Sequence, residues 1–212
     1  PAVARHSANL SAELKGRPVY PGTRQILNLQ DILDECNRHS WVLEGTPWKG
    51  VECRAYSFGE NLLEGMAVTQ QTDVFMSLHG SGEMNAMFLR PDTQKIQLRS
   101  KEFGTRYRYM SDGYWPFVCH QMQFPFQCWF LNFDEDDTWE PGVYERMGQD
   151  ISNETTRRDR HLRLKFKHFE AALKEILPVK GNRNEYQRLW DARKVSITFN
   201  QNQTTTYFNH MP

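Results

Sequence analysis

The residues best suited to chemistry are His79-Gly80-Ser81-Gly82, an imidazole beside two positions that carry no Cβ. Asp73 to Leu78 before them is an apolar run of β-formers, and Glu83 to Leu89 after them favours a helix, so Thr72 to Leu89 reads as strand, turn and helix. Such a βα unit of an open α/β sheet turns backbone N–H groups and the positive end of the helix dipole toward one crevice. An anion is the natural guest. The plain alternative is that Gly80 and Gly82 only let the helix pack tightly on its strand. His79 is the one general-base candidate, and a structural histidine bonding the turn backbone is the alternative. Glu83 places a carboxylate in the first helical turn, which favours the helix and disfavours a phosphate beside it.

Two arginines stand at or before the first predicted helix. Arg5 ends a predicted strand over Pro1 to Arg5, and Arg24 opens Arg24-Gln25-Ile26-Leu27-Asn28. A guanidinium near a sheet's carboxyl edge suits bidentate capture of a diphosphate, but read alone Arg24 is more simply an ordinary surface charge. Asp134 and Asp136 follow the apolar run Trp129 to Phe133 at a spacing that can hold a divalent cation, and an acidic surface loop gives the same string. The segment from Phe103 to Tyr144 is rich in aromatic residues, among them Trp115 and Trp129. Packing accounts for most of them, and stacking on a base or sugar ring is the alternative.

The elements that must position these residues follow from periodicity. Ile26, Leu29, Ile32, Leu33 and Cys36 recur at helical spacing, with Thr23 or Asn28 as cap. Residues 50–55 read as a strand, and Ser57 with Glu60 has capping-box spacing for a helix through Thr69. The order strand, helix, strand, helix, strand over residues 1–99 predicts a parallel sheet. Leu162, Phe166, Phe169, Leu173 and Ile176 predict one long helix over 156–177, stopped by Pro178. Its basic residues, Arg157, Arg158, Arg160, Arg163, Lys165 and Lys167, read as a solvated face. A short helix over 185–192, a strand over 195–199 and a frayed Gln-, Asn- and Thr-rich tail complete the chain.

With 212 residues the chain suits one α/β domain. Its 26 basic and 26 acidic residues cancel, which argues against nucleic acid as a partner and against broad attraction to a membrane surface. No apolar run has the length of a membrane span, and the start at Pro1, without Met or signal peptide, leads us to expect part of a longer protein. Cys36, Cys53, Cys119 and Cys128 lack Cys-x-x-Cys spacing, so buried free thiols and one disulfide stand as alternatives. Glycosylation acceptors at Asn9, Asn153 and Asn202 fit a secretory lumen.

The segment from Ser57 to Leu98 resembles glycosyltransferase family 61, which includes plant xylosyltransferases and animal transferases that add GlcNAc to proteins. Glu60, Thr72, Asp73, His79, Gly80, Gly82, Asn85, Phe88, Leu89 and Pro91 fall in register with its pattern. Arg5 and the Arg24-x-Ile-x-Asn28 string match two further motifs. Three departures stand out: Ser81 for a small Ala, Glu83 for an apolar Leu, and Gln97 where a Glu often sits.

The resemblance implies a Rossmann-like α/β fold like the C-terminal half of a two-domain GT-B transferase. The nucleotide-sugar-binding domain would span residues 1–180, with an aromatic-rich insertion at about 100–145. Residues 181–212 would be a partly irregular extension. The implied donor-site residues are Arg5, Arg24, Asn28, His79, Gly80, Ser81 and Gly82, with His79 also the catalytic candidate. The donor would be a nucleotide sugar, such as a UDP-linked one, used without metal or cofactor. Asp134 and Asp136 are the alternative metal site. The acceptor would be a glycan or protein, the other cleft wall a missing N-terminal domain of the same protein, and the compartment the Golgi or endoplasmic reticulum lumen.

Overall fold

The computed structural model describes residues 24–46, 48–58, 61–101, 126–152, 154–192, 194–200 and 203–207. Arg5, Trp115 and the strand expected over 1–5 lie outside them. The protein is an α/β Rossmann-like fold. Strands β1 (Val74–Leu78), β2 (Gln94–Ser100), β3 (Gln127–Phe133), β6 (Ser196–Asn200) and β7 (Gln203–Tyr207) lie in that order in one sheet. The first four run parallel, and β7 closes the edge antiparallel. Leu78, Leu98, Leu131 and Ile197 form one row across the four parallel strands. Every residue of β2 and β3 is buried, as central strands covered on both faces must be.

The remaining elements are α1 (Leu29–Arg38), α2 (Leu62–Gln70), a 3₁₀ helix over Ser81–Phe88, β4 (Trp139–Glu140), α3 (Val143–Arg146), α4 (Glu154–Arg158), β5 (His161–Leu162), α5 (Phe166–Ile176), a 3₁₀ turn over Leu177–Val179 and α6 (Arg183–Asp191). Trp129, Phe130, Phe133, Ile197 and Phe199 from the sheet and Leu173 and Ile176 from α5 belong to one buried core. Residues 196–200 and 203–207, from the segment expected as an extension, supply two strands of the same sheet.

Several local expectations are corrected. The strand expected over 50–55 forms no ladder, because the Asn37 side chain takes both backbone groups of Cys53: its Nδ2 donates to Cys53 O at 2.9 Å and its Oδ1 accepts from Cys53 N at 2.8 Å. A Cys36–Cys53 disulfide reinforces that link, and Cys128 is disulfide-bonded too, so the described cysteines are not free thiols. The helix expected from Ser57 begins instead at Leu62, capped by Asn61, whose Oδ1 accepts from Glu64 N at 3.1 Å. Glu60 lies outside the described residues.

The long helix expected over 156–177 is broken. Leu162 N donates to Gln25 O at 2.9 Å and its carbonyl accepts from Leu27 N at 2.7 Å, which pulls the chain into an extended bridge beside Ile26. The helical stripe therefore starts at Phe166. The solvated basic face is also corrected in part, since Arg157 and Arg160 are buried. Arg157 donates to the carbonyls of Ile151 and Ser152, and Arg160 pairs with Glu145 while lying 3.8 Å over the Trp139 ring. The tail expected to fray is strand β7 over Gln203–Tyr207, where β-branched threonines suit a pleated edge.

Candidate functional site

In a parallel sheet the strand carboxyl ends share one edge, and here that edge carries His79 and Gly80 after β1, Lys101 after β2 and Asp134 after β3. Strand alternation puts Lys95, Gln97 and Arg99 of β2 on one face. They meet the 3₁₀ helix there. Lys95 Nζ donates to Glu83 Oε2 at 2.9 Å with neither side chain exposed to solvent, and Gln97 Nε2 lies 2.9 Å from both Glu83 oxygens. Gln97 Nε2 also stands 2.8 Å from His79 Nδ1, and Arg99 Nε donates to Gln97 Oε1. Arg99 lies 4.2 Å over the Phe130 ring. One connected network thus joins His79, Glu83, Lys95, Gln97 and Arg99.

The helix after the turn is 3₁₀, not the α-helix that the composition favours. Glu83 is its reason for being held close: the carboxylate points inward to the sheet and is fully buried, instead of standing in an exposed first turn. Burial pushes the Glu83 carboxyl upward against the pull of Lys95 and Gln97, and pushes Lys95 down to about 8 against the pull of Glu83. Desolvation wins on both partners, the usual outcome for an ion pair without water.

Arg24 closes the turn from the other side. A Cβ on Gly80 would lie 3.0 Å from Arg24 Nη2, so the guanidinium sits directly against the glycine. Gly80 also has φ +158, a conformation that L side chains rarely adopt. Arg24 Nε stands 3.7 Å from Asp159 Oδ1, and Arg158 Nε stands 3.2 Å from that same oxygen. Among the described residues, Arg24 Nη1 is buried without a hydrogen-bond partner. Burial and then Arg158 lower the Arg24 pKa, with Asp159 opposing. For His79, burial first and then Arg24, Arg99, Lys95 and Arg158 lower the pKa to about 3. The imidazole is neutral at physiological pH and a weak base.

The structure brings together His79, Gly80 and Arg24 of the residues nominated from sequence. Ser81 and Gly82 form the first turn of the 3₁₀ helix. Asn28 faces elsewhere: its Nδ2 donates to Leu164 O at 2.8 Å and its Oδ1 accepts from Leu164 N at 2.9 Å, clamping β5's exit to the start of α1. Asp136 pairs with Lys101, and Glu135 and Asp137 both pair with Lys165. Among the described residues no group of three or more His, Cys, Asp or Glu could hold a metal ion. Trp129 is 1% exposed and donates through Nε1 to Gln94 Oε1, which makes it a core residue.

Sequence reasoning missed Lys95, Arg99, Arg158 and Asp159. The alternation of Lys95, Gln97 and Arg99 with Ile96 and Leu98 was the available signal. A polar face on a central parallel strand is unusual, because such strands are buried on both sides.

These features define an α/β protein of Rossmann-like class with a cation-rich glycine turn at the carboxyl edge of its sheet. Residues 17–96 match the family described as Glycosyltransferase 61, which bears out the resemblance seen in the sequence and supports glycosyl transfer as the activity. No curated protein matches the chain. Among the described residues no helix is long and apolar enough to cross a membrane.

Proposed function

We propose that this chain is the donor-binding half of a glycosyltransferase that moves a sugar from a nucleotide diphosphate to a hydroxyl of a glycan or protein. The observation that carries the reading is Arg24, whose guanidinium lies against Gly80 with Nη1 buried and lacking a hydrogen-bond partner among the described residues. A buried guanidinium in that condition favours an anionic oxygen, and a charge-assisted bond from it would stabilise a leaving diphosphate as negative charge develops. Arg158 brings a second positive charge to the same carboxylate, Asp159, so the group keeps excess positive charge. Those cations can carry the diphosphate charge without a metal ion.

In this reading the bond from the anomeric carbon to the diphosphate breaks, the acceptor oxygen bonds to that carbon, and its proton leaves to a base on the opposite wall of the cleft. An upstream domain of the same protein supplies that wall in a GT-B arrangement. His79 does not suit the role of base, because its pKa near 3 leaves little proton affinity. The disulfide bonds at Cys36–Cys53 and Cys128 favour an oxidising lumen such as the Golgi or endoplasmic reticulum.

Calorimetric titration tests the reading. UDP or GDP should bind the chain in the presence of a chelator, and Arg24→Ala should weaken binding by about tenfold or more, the scale of one lost charge-assisted bond. Failure of both nucleotides to bind, with the longer parent protein also silent, would overturn it. The chain alone should transfer negligible sugar, since alignment of the acceptor by a second domain accounts for about 7–11 kcal/mol of barrier lowering.

A further inference from the structure

The tautomer of His79 follows from its neighbours. Arg99 Nε–H can only donate, so the Gln97 atom it touches is the amide oxygen, and the other end of that amide is the NH₂ group. That group spends one hydrogen on the Glu83 carboxylate at 2.9 Å, which fixes the amide orientation a second time. Its other hydrogen points to His79 Nδ1 at 2.8 Å. Nδ1 must therefore offer a lone pair. An imidazole protonated on Nδ1, or an imidazolium, would set N–H against N–H at that distance.

We infer that Gln97 is a positioning residue that holds the His79 proton on Nε2, so that toward a bound donor His79 acts as a hydrogen-bond donor and not as a general base. This deepens the donor-site reading and rests on it for the identity of the ligand. The charges facing His79 agree with the assignment from every side: Arg24 ahead of α1, Lys95 and Arg99 on β2, and Arg158 at the end of α4 all disfavour a second proton on the ring. Glu83, the nearest carboxylate in the network, is engaged by Lys95 and by the Gln97 amide that separates it from His79. A neutral ring with its donor end fixed loses no free energy to reorientation when an anionic oxygen arrives. A carboxylate at position 97 would do the opposite, accepting from Nδ1–H and freeing Nε2 as a base.

Nitrogen NMR on the chain with isotope-labelled histidine reads this directly. The wild-type His79 signals should show the neutral Nε2–H form, with no titration between about pH 5 and about pH 8. The exchange Glu83→Gln with Gln97→Glu keeps the net charge and the hydrogen-bond count while placing the carboxylate against Nδ1. It should move the proton to Nδ1 and raise the titration midpoint into that window. Gln97→Met, which removes the donor to His79 and Glu83 together with the acceptor of Arg99, should give mixed tautomers and a smaller rise. A wild-type Nδ1–H signal, a wild-type midpoint near neutral, or folded variants that leave the tautomer unchanged would overturn the inference. Adding UDP separates the two readings. A shift of the His79 Nε2–H resonance on binding supports both, binding without that shift overturns the donor role of His79, and absence of binding in the parent protein removes the donor site whatever the tautomer.

Discussion

Glu83 and Gln97 meet at 2.9 Å, with both carboxylate oxygens within reach of one amide nitrogen. These are two of the three positions at which the chain departs from the family pattern in its glycine-turn region. The carboxylate lacking on β2 is supplied instead from the 3₁₀ helix, so the departures compensate one another in space. The arrangement also gives Lys95 its counter-charge, and it leaves His79 facing an amide.

Removing that carboxylate should therefore be costly. Glu83→Leu takes its carboxylate partner from the fully buried Lys95 ammonium, and the expected loss is about 3–5 kcal/mol in urea unfolding. Combining Glu83→Leu with Lys95→Leu removes both charges and should recover most of that loss. Equal instability of the single and double variants would show that the two charges are not coupled.

The pH dependence of stability carries a signature of His79. Its folded pKa of about 3 lies below the ordinary value of 6.5, so the unfolded chain takes up a proton that the folded chain refuses. The stability this represents is fully present above about pH 6.5 and is lost as pH falls, at no more than about 1.4 kcal/mol per pH unit, down toward the folded value. Glu83, pushed upward, contributes with the opposite sign, since its folded form holds a proton longer than the unfolded one. Comparing wild type with His79→Asn largely cancels that part. The difference between their unfolding free energies should be flat above about pH 6.5 and should narrow or reverse below it. A difference independent of pH would contradict a neutral, buried His79.

The βα unit, the strands β3 and β6 and the Pro178 stop were legible because each rests on local pattern: an apolar run, a glycine turn, a residue that cannot continue a helix. Arg24 beside Gly80 was reachable only through the resemblance, since the two lie 56 positions apart in the chain. What escaped depends on distant partners. Leu162 fits a helical stripe perfectly well until Gln25 and Leu27 claim its backbone. Arg157 and Arg160 look like solvated charge until carbonyls and Glu145 enclose them. Cys53 loses its strand to one asparagine side chain from α1. In each case a tertiary hydrogen bond outweighed a propensity of a few tenths of a kcal/mol to about 1 kcal/mol per residue.

Gly142 links the fold to the site at a distance. A Cβ there would stand 2.2 Å from the carbonyl oxygen of Asp159, whose carboxylate meets both Arg24 and Arg158. Gly142→Ala must displace backbone, for a loss of about 1–3 kcal/mol, and it should loosen the alignment of the two arginines. Gly50→Ala, with nothing within 4 Å of the added carbon, is the matched control and should change neither stability nor nucleotide binding. Calorimetry and thermal unfolding on the same samples check both effects, and an undisturbed Gly142→Ala protein would contradict the close approach.

Gly80 itself separates packing from binding. Gly80→Ala meets two obstacles: the backbone at φ +158 strains an L residue, and the new methyl presses on Arg24 Nη2 at 3.0 Å. The strain costs about 1–3 kcal/mol of stability. The contact with Arg24 is gentler, because the end of an arginine side chain yields by a few tenths of an ångström, and that movement is what a diphosphate site would register. UDP affinity should drop by about tenfold, close to 1.4 kcal/mol, in a protein that remains folded. If the glycine served packing alone, stability would fall and affinity in the surviving folded fraction would match wild type. Measuring the enthalpy of UDP binding below the unfolding temperature of both proteins, with Arg24→Ala alongside, distinguishes the two: in the binding reading the double variant Gly80→Ala, Arg24→Ala is scarcely weaker than Arg24→Ala, since the methyl acts through the guanidinium that is already gone.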